Sequence, residues 1–242
     1  MLSRNVTNVI RFFLDECLPP ILRDRKWLLW GAFWLTYKGK RVNEYMEFKK
    51  TAFDLTEDEF AAAYENMESV GTARPTDMNK ESLDFCLDAV GNTHQTLLDV
   101  GCGRGYWLDL LAEKAPNVEL TGVDVLADVP LRNAKYVPGS AEQLPFDDNS
   151  FDIVFSSHTI EHVRDLTAMV SELKRVARGK IIIVTPKQRP YRYTFDMHLN
   201  FFWFDYELPR LIGLKKYDIQ NLRGDWVYVG YPDAEQPGEM ES

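Results

Sequence analysis

Asp99, Gly101, Gly103 and Gly105 stand at alternate positions in the run Leu97-Leu98-Asp99-Val100-Gly101-Cys102-Gly103-Arg104-Gly105, an apolar stretch that ends in an acid and turns through three glycines. Glycine lacks a Cβ, so such a turn can bring main-chain N–H groups close to a ligand. The helical run Tyr106-Trp107-Leu108-Asp109-Leu110-Leu111-Ala112 follows, which predicts a strand-turn-helix unit that grips something at the turn. A second apolar run, Val118 to Val123, ends on Asp124, 23 positions beyond Gly101. In a parallel doubly wound sheet an acid at that place lies beside the first turn and can accept both ribose hydroxyls of an adenosine. Hydride transfer with a dinucleotide is disfavoured. The third glycine of that fingerprint would fall at Tyr106, and the fingerprint has no use for a carboxylate at Asp99.

Further along, Gly139-Ser140-Ala141-Glu142-Gln143-Leu144-Pro145-Phe146 leads through an acidic loop into the apolar run Phe151-Asp152-Ile153-Val154-Phe155-Ser156-Ser157-His158. With this third element the chain resembles, over roughly residues 70 to 231, the class I S-adenosylmethionine-dependent methyltransferases. Within them it is most similar to the type 11 group, which includes quinone-biosynthesis methyltransferases. The resemblance implies that Asp99 and the backbone of Gly101, Cys102 and Gly103 hold the methionine end of S-adenosylmethionine. It implies that Asp124 takes the ribose and that Val125 lies against the adenine. Ser140-Ala141-Glu142 matches the loop that meets the adenine edge, with Ser140 where the family often has Asp, so Ala141 and Glu142 are the residues carried over there. Ser156 sits where the fourth strand opens towards the methyl group.

Methyl transfer from a sulfonium is an in-line displacement, and the protein's task is to hold the acceptor atom opposite the leaving sulfur and exclude water. A hydroxyl acceptor also needs a base. His158, at the mouth of the fourth strand, and His198 are the candidates, because imidazole titrates near neutrality. His198-Leu199-Asn200-Phe201-Phe202 is similar to a His-x-x-Phe-Phe element that lies over the active site in many members. Glu161 is a less favoured carboxylate for the same role, His162 reads as packing or capping, and His94 precedes the first strand. No His and acid share metal-ligand spacing on one helix face, so no metal is expected. In the segment from Thr185 to Phe202, Arg189 and Arg192 can meet a phosphate or carboxylate on an acceptor, and Tyr193 offers a flat apolar wall. Ordinary solvated arginines are the competing reading.

These residues need an α/β scaffold, a doubly wound, mostly parallel seven-stranded sheet of the Rossmann-like methyltransferase kind with a helical N-terminal extension. Strands are expected near 96–100, 119–123, 134–137, 151–155 and 180–185, with a closing pair near 216–222 and 226–231. Asp165 can cap a helix carrying Leu166, Met169, Val170, Leu173, Val176 and Ala177 at helical spacing, with Gly179 ending it. The link from Leu126 to Ala134 contains Pro130 and is too short for a crossover helix. Thr56-Glu57-Asp58-Glu59 is a capping box opening a helix to about Glu68, and Asn79 can cap another through Val90. The expected division is a helical extension over 1–92 whose later helices cover the cofactor, a catalytic core over 93–232 and a mobile polar tail over 233–242.

The chain has 242 residues, 45% of them hydrophobic and 13% aromatic, which suits one sizeable core rather than a disordered protein. Its net charge of −9 disfavours a duplex nucleic-acid partner. Cys17, Cys86 and Cys102 are odd in number and lack redox or metal spacing, which favours a reduced, cytoplasmic setting. Charge is segregated: residues 1–50 carry ten Lys/Arg against five Asp/Glu, and the remainder 18 against 32. Within the basic part, Trp27 to Tyr37 is a continuous apolar and aromatic run flanked by Arg23, Arg25, Lys26 and by Lys38, Lys40, Arg41. It is too short to span a bilayer. A buried helix, a homodimer interface and peripheral membrane docking through residues 23–41 all remain open for it. The leading function is S-adenosylmethionine-dependent methylation, most simply at oxygen, of a small-molecule, glycan, lipid-linked or quinone-like acceptor. The rival from another class is a non-catalytic S-adenosylmethionine-binding or assembly protein that uses the aromatic segment as an interface.

Overall fold

The computed structural model describes residues 17–65 and 75–232. The tail over 233–242 and the expected end of the capping-box helix near Glu68 lie outside the described residues. The chain forms two compact units. One comprises residues up to Pro75 together with 188–201, and the other comprises 76–187 together with the chain from Phe202 onward. The division falls at Pro75 rather than at the expected residue 92, and it draws a segment from the far half of the sequence into the N-terminal unit.

In the N-terminal unit, α1 (Pro20–Arg23), α2 (Lys26–Thr36), α3 (Val42–Thr51) and α4 (Glu57–Glu65) follow one another, with a 3₁₀ turn at Ala52–Asp54. The capping box opens α4: Thr56 N–H donates to Glu59 Oε2 at 2.9 Å, and Glu59 N–H to Thr56 Oγ1 at 3.3 Å. On α2 the residues Leu29, Phe33 and Tyr37, four apart, form a buried stripe packed on Val42, Met46 and Tyr193. The Phe33 ring stacks on Phe195 at 4.2 Å, and Tyr37 Oη donates to the Phe195 carbonyl at 2.6 Å. Segment 188–201 therefore belongs to this unit because its own aromatic side chains complete the small core.

The second unit is built on a seven-stranded sheet of order β3-β2-β1-β4-β5-β7-β6. Its strands are β1 (Gln95–Val100), β2 (Val118–Asp124), β3 (Lys135–Pro138), β4 (Phe151–Ser157), β5 (Ala177–Pro186), β6 (Tyr217–Leu222) and β7 (Asp225–Gly230). The first five are parallel, and β7 runs antiparallel between β5 and β6. Four helices cover it: α5 (Lys80–Val90), α6 (Tyr106–Lys114), α7 (Leu166–Val176) and α8 (Glu207–Ile212). Strands buried on both faces read as near-continuous apolar runs, and β5 shows how the pleat divides them. Ile181 and Ile183 face Met169, Leu173, Leu208 and Ile212, whereas Ile182 and Val184 face Cys86, Trp107, Leu108 and Leu111. Each such buried aliphatic side chain contributes roughly 1.5–3 kcal/mol.

Helix α7 departs from expectation at its end. Asp165 caps it, accepting the N–H groups of Thr167 and Ala168 at 2.9 Å, but Gly179 does not terminate it. The chain passes straight from Val176 into β5 at Ala177, with extended φ −81° and ψ 124°, because Ala177 already pairs with Phe151 of β4. The link from Leu126 to Ala134 forms no helix, and its Leu131 packs into the space left by Gly105 and Gly122.

Candidate active site

The carboxyl ends of β1, β2, β4 and β5 carry the residues that could do chemistry, as expected where parallel strands deliver their loops to one edge. At the end of β1, Gly101, Gly103 and Gly105 have φ of +76°, +52° and +80°, a left-handed path that side chains resist. Gly101 is required for a second reason, since a Cβ there would run into the Thr159 side chain, whereas a Cβ on Gly103 would meet nothing within 4 Å. Space therefore lies open over Gly103. The amides of the turn are spent internally: Gly101 N–H and Cys102 N–H donate to the Val123 carbonyl at 2.8 and 3.1 Å, and Gly103 N–H donates to Asp124 Oδ2 at 2.8 Å. The Cys102 carbonyl accepts from Gly105 N–H at 2.9 Å. With these amides engaged, the turn suits an anion less well than a turn lined with free N–H groups would.

Asp124 is fixed by that Gly103 bond and by Leu126 N–H on Oδ1 at 3.2 Å, so its carboxylate is held beside the open turn. Burial raises its pKa against the pull of those amides. Asp99, 2% exposed, is lifted well above the carboxylate range by burial and then by the neighbouring charge of Asp124. Two adjacent, desolvated acids favour a cationic ligand, which would relieve both costs. Val125, next to Asp124, leaves 43% of its surface exposed, an apolar face beside a polar clamp. The Cys102 side chain is turned inward, where a Cβ on Gly122 would come within 2.8 Å of its sulfur. Burial, with the charges of Asp99 and Asp124, pushes that thiol far up, so it is inert.

Three other expected contacts are committed to the scaffold. Ser156 is buried, and its hydroxyl donates to the Val100 carbonyl at 3.0 Å. Glu142 Oε1 accepts the N–H groups of Arg164 and Asp165 at 2.7 and 3.0 Å, tying its loop to the entry of α7. Ala141 is half-buried on the core behind it.

His158 follows β4 with φ +52°, uncommon for a residue with a side chain, and its N–H donates to the Val184 carbonyl at 2.8 Å. Its Nδ1 lies 3.3 Å from Glu161 Oε1 and its Nε2 3.9 Å from Asp225 Oδ1. Both acids are buried. Thr185 Oγ1 donates to Glu161 Oε2 at 3.1 Å, and Asp225 Oδ2 accepts from Asn79 N–H, Asn79 Nδ2 and Ser82 Oγ at 3.2, 2.7 and 2.9 Å. Burial pulls the imidazole pKa down, but the hydrogen bond and charge of Glu161, then Asp225 and Asp77, lift it above its ordinary value. Glu161 thus orients the ring through Nδ1, and Nε2 is buried and turned towards Asp225. Asp225 and Ser82 carry no sequence motif, and Asn79 reads in the sequence only as the cap of α5. Only the antiparallel return of β7 brings Asp225 to the end of β5, where it pairs with Pro186.

His198, Arg189, Arg192 and Tyr193 belong to the other compact unit. His198 is buried, with Nδ1 2.6 Å from Gln188 Oε1 and Nε2 3.5 Å from Asp196 Oδ2. Tyr193 is core, Arg189 half-buried and Arg192 exposed, with its guanidinium 5.5 Å from the Tyr193 ring centre. Sequence reasoning passed over Lys49. Its ammonium donates to the Tyr191 carbonyl and sits 3.7 Å from the Phe201 ring centre, and burial lowers its pKa to about 8.

A family described as a methyltransferase domain matches residues 98–184, from β1 to β5. Among curated proteins, the demethylmenaquinone methyltransferase of Geobacillus stearothermophilus is 32% identical over 125 residues, 46% of this chain and 53% of that protein. That of Staphylococcus aureus (strain JH9) is 32% identical over 119 residues, 44% of this chain and 49% of that protein. The chain thus spans about half the length of the curated relatives it matches. Among solved structures, a SAM-dependent methyltransferase from Aquifex aeolicus has TM-score 0.52 and 16% identity, covering 71% of this chain and 97% of that one. The PH0226 protein of Pyrococcus horikoshii has TM-score 0.52 and 21% identity, covering 63% and 88%. These two structural likenesses concern the fold.

Proposed function

We propose that this chain, a class I S-adenosylmethionine-dependent methyltransferase of the type 11 group, methylates a ring-bearing acceptor through a hydroxyl that His158 deprotonates. The observation that carries the reading is the pair of buried acids, Asp99 and Asp124, beside an open glycine turn, with His158 on the same edge of the same unit. The cofactor fits these residues. The space over Gly103 admits a ligand, Asp124 can accept ribose hydroxyls, Val125 offers an apolar face to the adenine, and the acid pair suits an ammonium and a sulfonium.

S-adenosylmethionine supplies an electrophilic methyl on sulfur, leaving as a neutral thioether. This chain's own residues prepare the other partner. With Glu161 Oε1 3.3 Å from Nδ1 to orient the ring, neutral Nε2 would take the acceptor's hydroxyl proton, and bound S-adenosylmethionine would supply the methyl. The imidazolium that results is stabilised by Glu161 and Asp225, whose charges already favour it. The relatives named demethylmenaquinone methyltransferase motivate a quinol-like or other phenolic ring as the acceptor class. Incubation with radiolabelled cofactor and a panel of hydroquinones, simple phenols, sugar nucleotides and lipid-linked glycans tests this. Label transferred to a hydroquinone or phenol is expected. Label confined to a sugar would move the acceptor to glycans, and cofactor binding with no transfer across the panel would favour the non-catalytic alternative.

A further inference from the structure

Helix α2 is neither wholly core nor wholly surface. Its stripe Leu29, Phe33 and Tyr37 is buried, and the opposite stripe Trp27, Trp30 and Trp34 is 73%, 44% and 47% exposed. Ile21, Leu22 and Leu35 extend the apolar exposure at 68%, 46% and 72%. A soluble surface seldom displays so many large apolar side chains together. An open groove of about 710 Å³ adjoins this face within the same unit, lined by Arg25, Lys26, Trp27, Trp30, Arg192 and Tyr193. The acid in it, Asp24, is engaged, accepting from Arg192 N–H at 3.3 Å and lying 3.4 Å from Arg23 Nε. Lys26 is paired with Glu47 at 3.0 Å, and Arg41 with Glu44 at 3.1 Å. Arg25, Lys40 and Arg192 make no ion pair among the described residues, and all three are exposed. Arg23, although basic, is buried and donates to the Pro190 carbonyl at 2.9 Å, so it serves the fold.

We propose that this face is a peripheral docking surface for an anionic lipid bilayer, with Trp27 and Trp30 at the water–hydrocarbon boundary and a headgroup phosphate in the groove between Arg25 and Arg192. Indoles favour that boundary, because an apolar ring and an N–H find suitable surroundings there together. The charge pattern selects the occupant. The chain as a whole is acidic, yet the exposed cations border the aromatic face, so attraction to an anionic surface is directed to this side and repelled elsewhere. A second copy of the chain would bring like charges together at the same place. Depth is limited to the interface, since α2 has 11 residues and no described helix is long and apolar enough to cross a membrane. The inference does not depend on the identity of the methyl acceptor.

Flotation of the full chain with phosphatidylcholine vesicles, with and without phosphatidylglycerol, tests it. Partitioning onto the phosphatidylglycerol vesicles at low salt is expected, with release when salt shortens the screening length to roughly 3 Å. Arg25→Gln with Lys40→Gln should lower partitioning about thirtyfold, taking each cation as worth about one part in five or six of binding. Trp27→Ser with Trp30→Ser should lower it about tenfold or more while the melting temperature stays unchanged, because both side chains face outward. Trp34 is left in place because its indole packs against Gly39. Absence of partitioning, or partitioning unaffected by the tryptophan pair, overturns the proposal. So does a concentration-dependent dimer that the same pair dissolves, or capture of free glycerol phosphate without vesicle binding.

Discussion

His158 Nδ1 lies 3.3 Å from Glu161 Oε1, a contact that orients the ring and, with the charges of Asp225 and Asp77, raises its pKa against the effect of burial. Since the imidazole pKa is raised, its neutral, base-competent form is reached only as pH climbs through a value above about 6.5. Turnover should therefore rise with pH through that window. Glu161→Gln should shift the kinetic pKa downward and lower the plateau roughly ten- to a hundredfold, since an orienting charge is lost while the base remains. The stability effect runs the other way. A raised folded-state pKa contributes stability below the unfolded value near 6.5 and loses it as pH rises through the folded value. The difference in melting temperature between the wild type and His158→Gln should thus shrink across the same range. A pH–rate profile that Glu161→Gln leaves in place would remove His158 as the base.

The two histidines that looked equivalent in the sequence should separate in kinetics. His158→Ala is expected to lower kcat about a hundredfold with cofactor affinity intact. His198, held by Gln188 in the segment with Arg192 and Tyr193, belongs to a different compact unit from Asp124. For His198→Ala we expect a higher acceptor KM with a smaller change in kcat. The reverse split would transfer the role of base to His198.

The parallel core was readable because its signals are local. The alternation of apolar residues, the glycines at 101, 103 and 105 and the strand-end acid Asp124 each specify a backbone path within a few residues. The failures have physical causes. Gly179 looked like a helix stop, but pairing of Ala177 with Phe151 across the sheet ended the helix earlier, and no local pattern encodes a cross-strand partner. Asp225 reaches His158 only because β7 returns antiparallel beside β5, so a residue 67 positions away in sequence completes the polar cluster. Segment 188–201 was legible as a chemically rich loop. Its membership of the N-terminal unit was not, because that depends on Phe195 and Tyr193 completing a core with α2 and α3. The aromatic run on α2 is a further case, where core stripe and exposed stripe overlap in one stretch of sequence and only helical phase separates them.

Cofactor binding should be coupled to proton release. Burial and the charge of Asp124 hold Asp99 above the carboxylate range, and a cationic ligand favours its ionised form. Affinity for S-adenosylmethionine should increase with pH until Asp99 is ionised in the free protein, and calorimetry in buffers of different ionisation enthalpy should register protons released on binding. Asp124→Ala should weaken both the cofactor and its demethylated product about ten- to a hundredfold, the loss of a charged hydrogen-bond acceptor of roughly 1.5–3 kcal/mol. Unchanged affinity in that variant would take Asp124 out of the site, and tight NAD binding would contradict the cofactor assignment.

Two glycines of the turn should answer differently to the same substitution. Gly101→Ala faces both a left-handed φ of +76° and the side chain of Thr159, which is itself held by the Val100 and Ser157 carbonyls at 3.3 and 3.2 Å. Neither partner can move cheaply, so a loss of roughly 2–4 kcal/mol of stability is expected from backbone strain plus overpacking. Gly103→Ala carries the φ penalty alone, at +52°, with nothing within 4 Å of the new methyl, and should cost only about 1 kcal/mol. Its methyl projects into the space where the cofactor is expected, so its main effect should be on affinity. Denaturant melts and cofactor titrations on both variants decide the matter. If Gly103→Ala binds S-adenosylmethionine as well as the wild type, the cradle over this turn is not the cofactor site. If Gly101→Ala is as stable as the wild type, Thr159 yields and the turn is softer than its hydrogen bonds to Val123 imply.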